Sequence, residues 1–410
     1  MKKLISILLI LTMLLSFTSC GTDEPETEKV LDLSTAEWEQ IVEAAKGTTV
    51  TYYGWGGDEI RNAWLNYTLA DYLKSNYDIT LEVVGMNIDE ILTKLSGEKQ
   101  AGSGNGSIDM IWINGENFYS AKANGLLYGP FTNKLPNMEK YIDLEDPETL
   151  SDFCMPIEGY EAPYARAQMV TLYDSAKVTD VPANAQEFLE FCKANPGKVT
   201  YPALPDFTGS AFVRNLIYEV CGWEQFQTME ADKETVKAAI QPAIDYLKEL
   251  NPYLWNEGKT FPDSSTTVDQ MFADGELLFH MTYGPFAAAT GIADGSYADT
   301  VKTFVFDNGT IGNTSYTAIA FNSPNKAGAM VVINAMLSSE LQLNFYEETK
   351  GLPVVDNSKL TEEELAAFNA VTIGEGVLTQ EQLLTHRLPE MPAALVPVIE
   401  EIWLEEVVGK

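Results

Sequence analysis

The sequence is short of positive charge. It carries 26 Lys and Arg against 60 Asp and Glu, a formal net charge of −34. A surface of that sign repels phosphate backbones and anionic headgroups, which argues against nucleic-acid binding. Histidine and cysteine are scarce too: His280 and His386, and four cysteines, leave little material for a soft metal site. Only the first twenty residues form a long apolar run, and they are too few for an ordinary spanning helix. With 45% hydrophobic and 11% aromatic residues over 410 positions, the rest reads as globular and large enough for two or three domains.

The N-terminus sets the compartment. Met1-Lys2-Lys3 is a short positive segment, Leu4–Phe17 is apolar apart from Ser6, Thr12 and Ser16, and Thr18-Ser19 are small. That order predicts a secretory signal over residues 1–19. Cys20 directly after the small residues resembles a bacterial lipobox, although Phe17 stands where the family prefers Leu. The resemblance implies acylation of Cys20 and anchorage to the cell membrane. Residues 20–30, acidic with one proline, predict a flexible tether. Cys154, Cys192 and Cys221 are then an odd number in no zinc or redox spacing, so mostly buried free thiols are expected.

Beyond the tether the pattern alternates. A helix is predicted over 31–46, capped by Ser34 or Thr35. A strand at 49–55 leads into a helix over 58–76, a strand at 79–85 into a helix over 88–99, and a third strand occupies 108–113. Such a β-α-β-α-β unit predicts a parallel sheet. Residues 155–163, with two prolines and a glycine, read as a crossing segment. After them come strands at 167–173, 198–203, 277–282, 303–306 and 317–321. Helices are predicted at 185–194, 209–221, 233–250 (starting or bending at Pro242), 327–337, 339–349 and 393–408, with a capping box at Thr361–Glu364.

Ligands of open α/β sheets bind beyond the carboxyl ends of the strands, so the loops there are the informative ones. The first is Trp55-Gly56-Gly57-Asp58, where glycines allow close backbone approach and a helix start offers free N–H groups; a tight turn capped by Asp58 is the plainer reading. The second is Asn114-Gly115-Glu116-Asn117, a cluster of hydrogen-bonding side chains where a buried strand surfaces. The third pairs Phe207 and Thr208, after one strand, with Tyr283 and Phe286, after another. Aromatics beside hydroxyls and amides suit a small polar solute with a flat or apolar face.

These features together resemble a known family. Phe272-Ala273-Asp274-Gly275-Glu276 followed by Gly284-Pro285-Phe286 looks like the ligand-stacking region of maltose-type binding proteins. The run from Ala318 to Lys326 is similar to the family's return strand and helix. Asp109–Phe118, Gly125–Pro130 and Pro205–Ser210 look closer still to a thiamine-type branch. The chain therefore resembles the solute-binding lipoproteins of bacterial ABC importers. The resemblance implies an α/β fold of type II periplasmic-binding-protein kind, with parallel-rich sheets, helices on both faces and an interlobe cleft. It implies lobes at 46–158 plus 308–355 and at 163–303 plus 356–410, hinge closure on a solute, permease subunits as partners, and no cofactor or metal.

Asp58 and Glu116, with the aromatic residues, favour a cationic or heteroaromatic solute such as a vitamin or polyamine. No Arg or Lys stands in the three loops, which weakens phosphate or carboxylate readings. Backbone amides at Gly56-Gly57 keep an anion open, and a neutral sugar stays open as well. The alternative is a secreted hydrolase of glycosidase type working through a carboxylate pair. The sequence lacks a G-x-S-x-G elbow, an H-E-x-x-H pair and a Walker A loop.

Overall fold

The structure is a computed structural model that describes residues 31–409. The expected signal segment, Cys20 and the tether lie outside the described residues. Among the described residues no helix is long and apolar enough to cross a membrane.

The predicted β-α-β-α-β unit forms. Strands β1 (Thr49–Gly54), β2 (Thr80–Gly85) and β3 (Met110–Ile113) pair in parallel in the order β2-β1-β3, with Thr49 opposite Thr80 and Tyr52 opposite Met110. The helix after β1 starts at Asp58, whose carboxylate accepts the Arg61 backbone N–H, and runs to Tyr77 through a π-helical stretch, Trp64–Leu69. The helix after β2, Ile88–Gln100, buries Ile91 and Leu95 against Ile111, Ile113 and Phe118. One start differs. The first helix begins at Trp38, with the Glu37 N–H donating to Gln40, because that reciprocal pair caps better than Ser34 or Thr35 upstream.

β4 (Leu127–Tyr128) is short, and β5 (Ser151–Asp152) and β6 (Met155–Pro156) form a hairpin with Phe153 and Cys154 at positive φ. β7 (Glu161–Gln168) and β8 (Val170–Asp174) replace the single strand expected over 167–173. The break falls at Met169, whose N–H turns to the Ile311 carbonyl. There the chain leaves one sheet for the other. The passage expected at 155–163 is instead the end of the hairpin and the start of β7.

β9 (Phe279–Thr282), β10 (Val301–Phe304), β11 (Thr310–Ala320) and β12 (Arg387–Pro389) complete the sheets. β11 is buried at every position and is antiparallel to β3, β4 and β7 and parallel to β12, closing a seven-stranded mixed sheet. The second sheet, β10-β8-β9, is antiparallel throughout. Parallel pairing is thus confined to the first sheet. The reason is topological: β8 carries the chain into the second sheet and β10 carries it back towards β11, so these neighbours run in opposite directions.

The expected strand at 198–203 is irregular instead. Pro202 has no N–H, and the groups around it bond singly to separate loops, Trp255 N–H to Val199 and Ala203 N–H to Pro262, which makes no ladder. The helix Lys233–Leu250 starts at its Asp232 cap and continues through Pro242. It packs with Phe207–Cys221 and Leu395–Trp403 around Phe279 and Met281 in the largest core cluster. Cys154, Cys192 and Cys221 are free; contrary to the expectation of mostly buried thiols, Cys154 is exposed and Cys221 half-buried.

Candidate functional site

The loop after β3 is held by its glycine. Gly115 adopts φ +63°, and its N–H donates to the Asp152 carboxylate at 2.5 Å across to the β5–β6 hairpin. A Cβ at Gly115 would press on the Phe153 ring at 3.1 Å. This packing turns Glu116 inward. Its Oε1 accepts from the Asn117 amide at 3.2 Å, while the buried Oε2 has no partner. Burial raises the Glu116 carboxyl to about 7; Arg214 opposes that rise, and Glu400 and Glu390 add to it. Asn114 is half-buried at the strand exit.

Opposite lies helix Phe207–Cys221. Asp206 caps it, accepting the Thr208 and Gly209 N–H groups at 2.9 and 3.0 Å. Seven and four residues after Phe207 and Ser210, one helix face brings Arg214 beneath them. Arg214 is 1% exposed. It donates to Ser210 Oγ at 2.6 Å and to Glu390 at 3.4 Å, and its guanidinium lies 5.4 Å from the Phe153 ring centre. Ser210 in turn donates to Glu400 at 2.6 Å. Glu390 follows β12 and also accepts from Tyr283 Oη at 2.5 Å and Asn313 at 3.3 Å.

Five elements therefore converge on one buried polar cluster. It contains a single guanidinium against the carboxyl groups of Glu116, Asp152, Glu390 and Glu400. Burial pushes all four carboxyls up. Burial alone would lower Arg214, but Glu390, Tyr283 and Glu116 outweigh it and keep it charged. Asp152 Oδ1, Glu116 Oε2 and Arg214 Nε are buried without hydrogen-bond partners among the described residues. An aromatic wall stands beside them, with Phe207 5.2 Å from Tyr283 and 6.2 Å from Phe153. Chemically the cluster holds and orients charge. Among the described residues no group of three or more His, Cys, Asp or Glu has metal-holding geometry.

The predicted residues divide. Glu116, Asn117, Gly115, Phe207, Thr208 and Tyr283 lie at or against this cluster. Phe286 does not: it is 1% exposed in an apolar core with Tyr346, because the Gly284-Pro285 turn folds it under the sheet. The Trp55–Asp58 loop has structural work to do. Gly56 comes so close to Gly85 that a Cβ would sit 3.3 Å from its Cα, and a Cβ on Gly57 would strike the Trp55 ring. Asp58 caps its helix and lies 3.5 Å from the Arg61 guanidinium. Trp55 remains 40% exposed.

Sequence reasoning missed Arg214, Glu390, Asp152 and Arg61. The loops contain no base, as read, but two helices deliver one to each side of them. The available signal was rarity: the chain has four arginines, and Arg214 stands four residues after Ser210 in a helix whose one other charged residue is Glu219. His280 is buried in β9, as its apolar strand implied, and burial lowers its pKa; His386 caps the end of helix Gln380–Thr385.

The comparisons agree with this architecture. The family model described as bacterial extracellular solute-binding protein matches residues 68–370. Protein YnjB of Escherichia coli (strain K12) is 34% identical over 373 residues, 90% of this chain and 93% of its own length. An ABC transporter structure from Clostridium perfringens superposes with a TM-score of 0.61 at 19% identity, covering 87% of this chain and 98% of that one. The spermidine/putrescine substrate-binding protein PotD of Streptococcus pneumoniae gives 0.59 at 14% identity, with 87% and 99% covered. Nothing among them supports the hydrolase alternative. The chain belongs to the bacterial extracellular solute-binding proteins and has the two-lobe α/β fold of type II periplasmic binding proteins.

Proposed function

We propose that the protein is tethered to the membrane by a lipid on Cys20, closes two lobes on a small cationic or heteroaromatic solute, and hands that solute unchanged to its permease. The lobes in this reading are 46–158 plus 308–355 and 163–303 plus 356–410. The solute would meet Glu116, Asn117, Phe207, Thr208 and Tyr283 from the two sides, with Trp55 to Asp58 and Asn114-Gly115 at the rim.

One observation carries the solute class: four carboxyl groups, Asp152 and Glu390 buried and Glu116 and Glu400 half-buried, gather where Arg214 is the one guanidinium. Removing several like charges from water is costly, so the cluster takes up protons when alone. A bound cation replaces those protons, and Phe207 and Tyr283 offer it ring faces. Closure then shields these contacts from water, where an unmatched ligand leaves polar groups unpaired. Because only the liganded form populates closure, closure is what a permease reads.

A thermal-shift screen over polyamines, thiamine, sugars and organic anions tests the class, with spermidine first because PotD belongs to a spermidine/putrescine transporter. A ligand at 100 times its Kd adds about 2.7 kcal/mol to stability. Stabilisation by anions with none by any cation overturns the cationic class. Small-angle scattering with the stabilising ligand should show a smaller radius; an unchanged radius sinks hinge closure. Cys20→Ala should move the protein from the membrane fraction to the soluble one.

A further inference from the structure

We infer that the chain carries a second recognition element at the exit of β1, built to bind an oxyanion, either free or as the acidic group of the captured solute. Its parts are Arg61, Trp112, Tyr164 and Tyr52. The Arg61 guanidinium lies 4.6 Å from the centre of the Trp112 ring, and Tyr164 meets that ring edge-on at 6.4 Å. Gly54 makes the convergence possible: a Cβ there would sit 3.2 Å from the Tyr52 ring and 3.4 Å from Trp112 Cβ.

Two donors of this nest, Arg61 Nε and Trp112 Nε1, are buried and have no hydrogen-bond partner among the described residues, while the buried Tyr164 hydroxyl faces the Arg61 guanidinium and the Tyr52 hydroxyl. Tyr164 as a whole is 2% exposed. The indole and guanidinium nitrogens can only donate, and the phenol can donate. Burying donors with nothing to accept from them is costly, so the two nitrogens, beside a phenol that can donate, point to an acceptor ligand. The other three arginines are committed to carboxylates by hydrogen bonds: Arg166 to Asp146, Arg214 to Glu390, Arg387 to Glu148. The carboxylate beside Arg61 is that of Asp58, 3.5 Å away and already accepting the Arg61 backbone N–H at 2.9 Å, and the guanidinium otherwise faces the Tyr164 and Tyr52 hydroxyls. A planar fork stacked on an indole, with no bidentate carboxylate partner, suits a carboxylate or phosphate. Access exists, since 21% of the Arg61 side-chain surface is open to solvent.

The nest does not depend on the cation reading of the Arg214 cluster, although both flank the loop after β3. If the anion belongs to the solute, the solute carries both signs of charge. Tryptophan fluorescence of the mature protein, titrated with inorganic phosphate and with O-phosphoethanolamine, tests this. Phosphate should give a saturable change that Trp112→Phe abolishes, that Arg61→Gln weakens about tenfold, and that Tyr164→Phe weakens less. Arg61→Lys keeps the charge and should retain part of the affinity. Phosphoethanolamine binding tighter than phosphate, with the gain lost in Glu116→Gln, assigns the anion to the solute; equal affinities assign it to a free ion. No saturable change in the wild type, or an unchanged affinity in folded Arg61→Gln, overturns the inference. A protein that binds spermidine but shows that result loses this inference alone.

Discussion

Glu400 and Glu401 are neighbours on the helix Leu395–Trp403, yet they live in different chemistry. Glu401 and Glu405 meet Lys233 at 2.8 Å on the outer face, and Glu406, on the π-helical continuation, meets Lys237 and Lys248. Those lysines pull the half-buried Glu406 carboxyl down to about 2. Glu400 turns the other way, accepts from Ser210 in the polar cluster, and is pushed up by burial. Outside, water solvates the charge and partners only tune it. Inside, desolvation dominates and favours the protonated form of the same side chain. A chain of such acidity can therefore be strongly ionised on its surface and partly protonated in its site.

The largest way to break this contrast is to remove the lone interior base. Arg214→Met should cost about 3–5 kcal/mol in urea unfolding, because Glu390 is left buried without its counter-charge. Adding Glu390→Gln should recover part of that loss, and strictly additive costs would mean that the two do not act as a pair.

Next is the pH dependence, whose sign differs between the regions. Burial holds the folded Glu116 carboxyl up at about 7, against about 4.5 for an ordinary glutamate. The folded state therefore holds the extra proton between those values, and stability falls as pH rises from about 4.5 to 7. The loss is at most about 3 kcal/mol at one carboxyl, and Glu116→Gln should flatten that part of the curve. A slope unchanged by the substitution would remove Glu116 as its source. Glu406 has the opposite sign: its contribution is present above the unfolded pKa and lost as pH falls towards about 2.

The smallest effect should be on the surface pairs. Lys248→Ala should leave the urea midpoint unresolved from wild type at physiological salt, since exposed ion pairs are screened and entropically opposed. A clear loss there would show that the outer face contributes more than exposure allows.

Much of the fold was legible because it rests on local pattern. The apolar run before Asn114 could only be a buried strand, and the spacing of Ile91 and Leu95 made one helix face. The errors were equally physical. Residues 198–203 have strand composition, but Pro202 denies them a ladder, while Pro242 is tolerated in a helix that tertiary packing holds on both sides. Phe286 looked like a platform because it follows a strand; only the direction of the turn placed it in the core.

The sequence by itself determined the charge balance, the alternation of strands and helices, and the loops that surface at strand ends, since composition and periodicity are local properties. It also marked Glu116, Phe207 and Tyr283 as groups worth watching. Only the tertiary structure decided what they face. Arg214 reaches Glu390 across 176 positions of chain, and Ser210 reaches Glu400 across 190. Arg61 meets Trp112 because β1 and β3 are sheet neighbours. Whether a carboxyl is ionised depends on the water it keeps and the charges beside it, and both are fixed by contacts between segments that no local pattern relates.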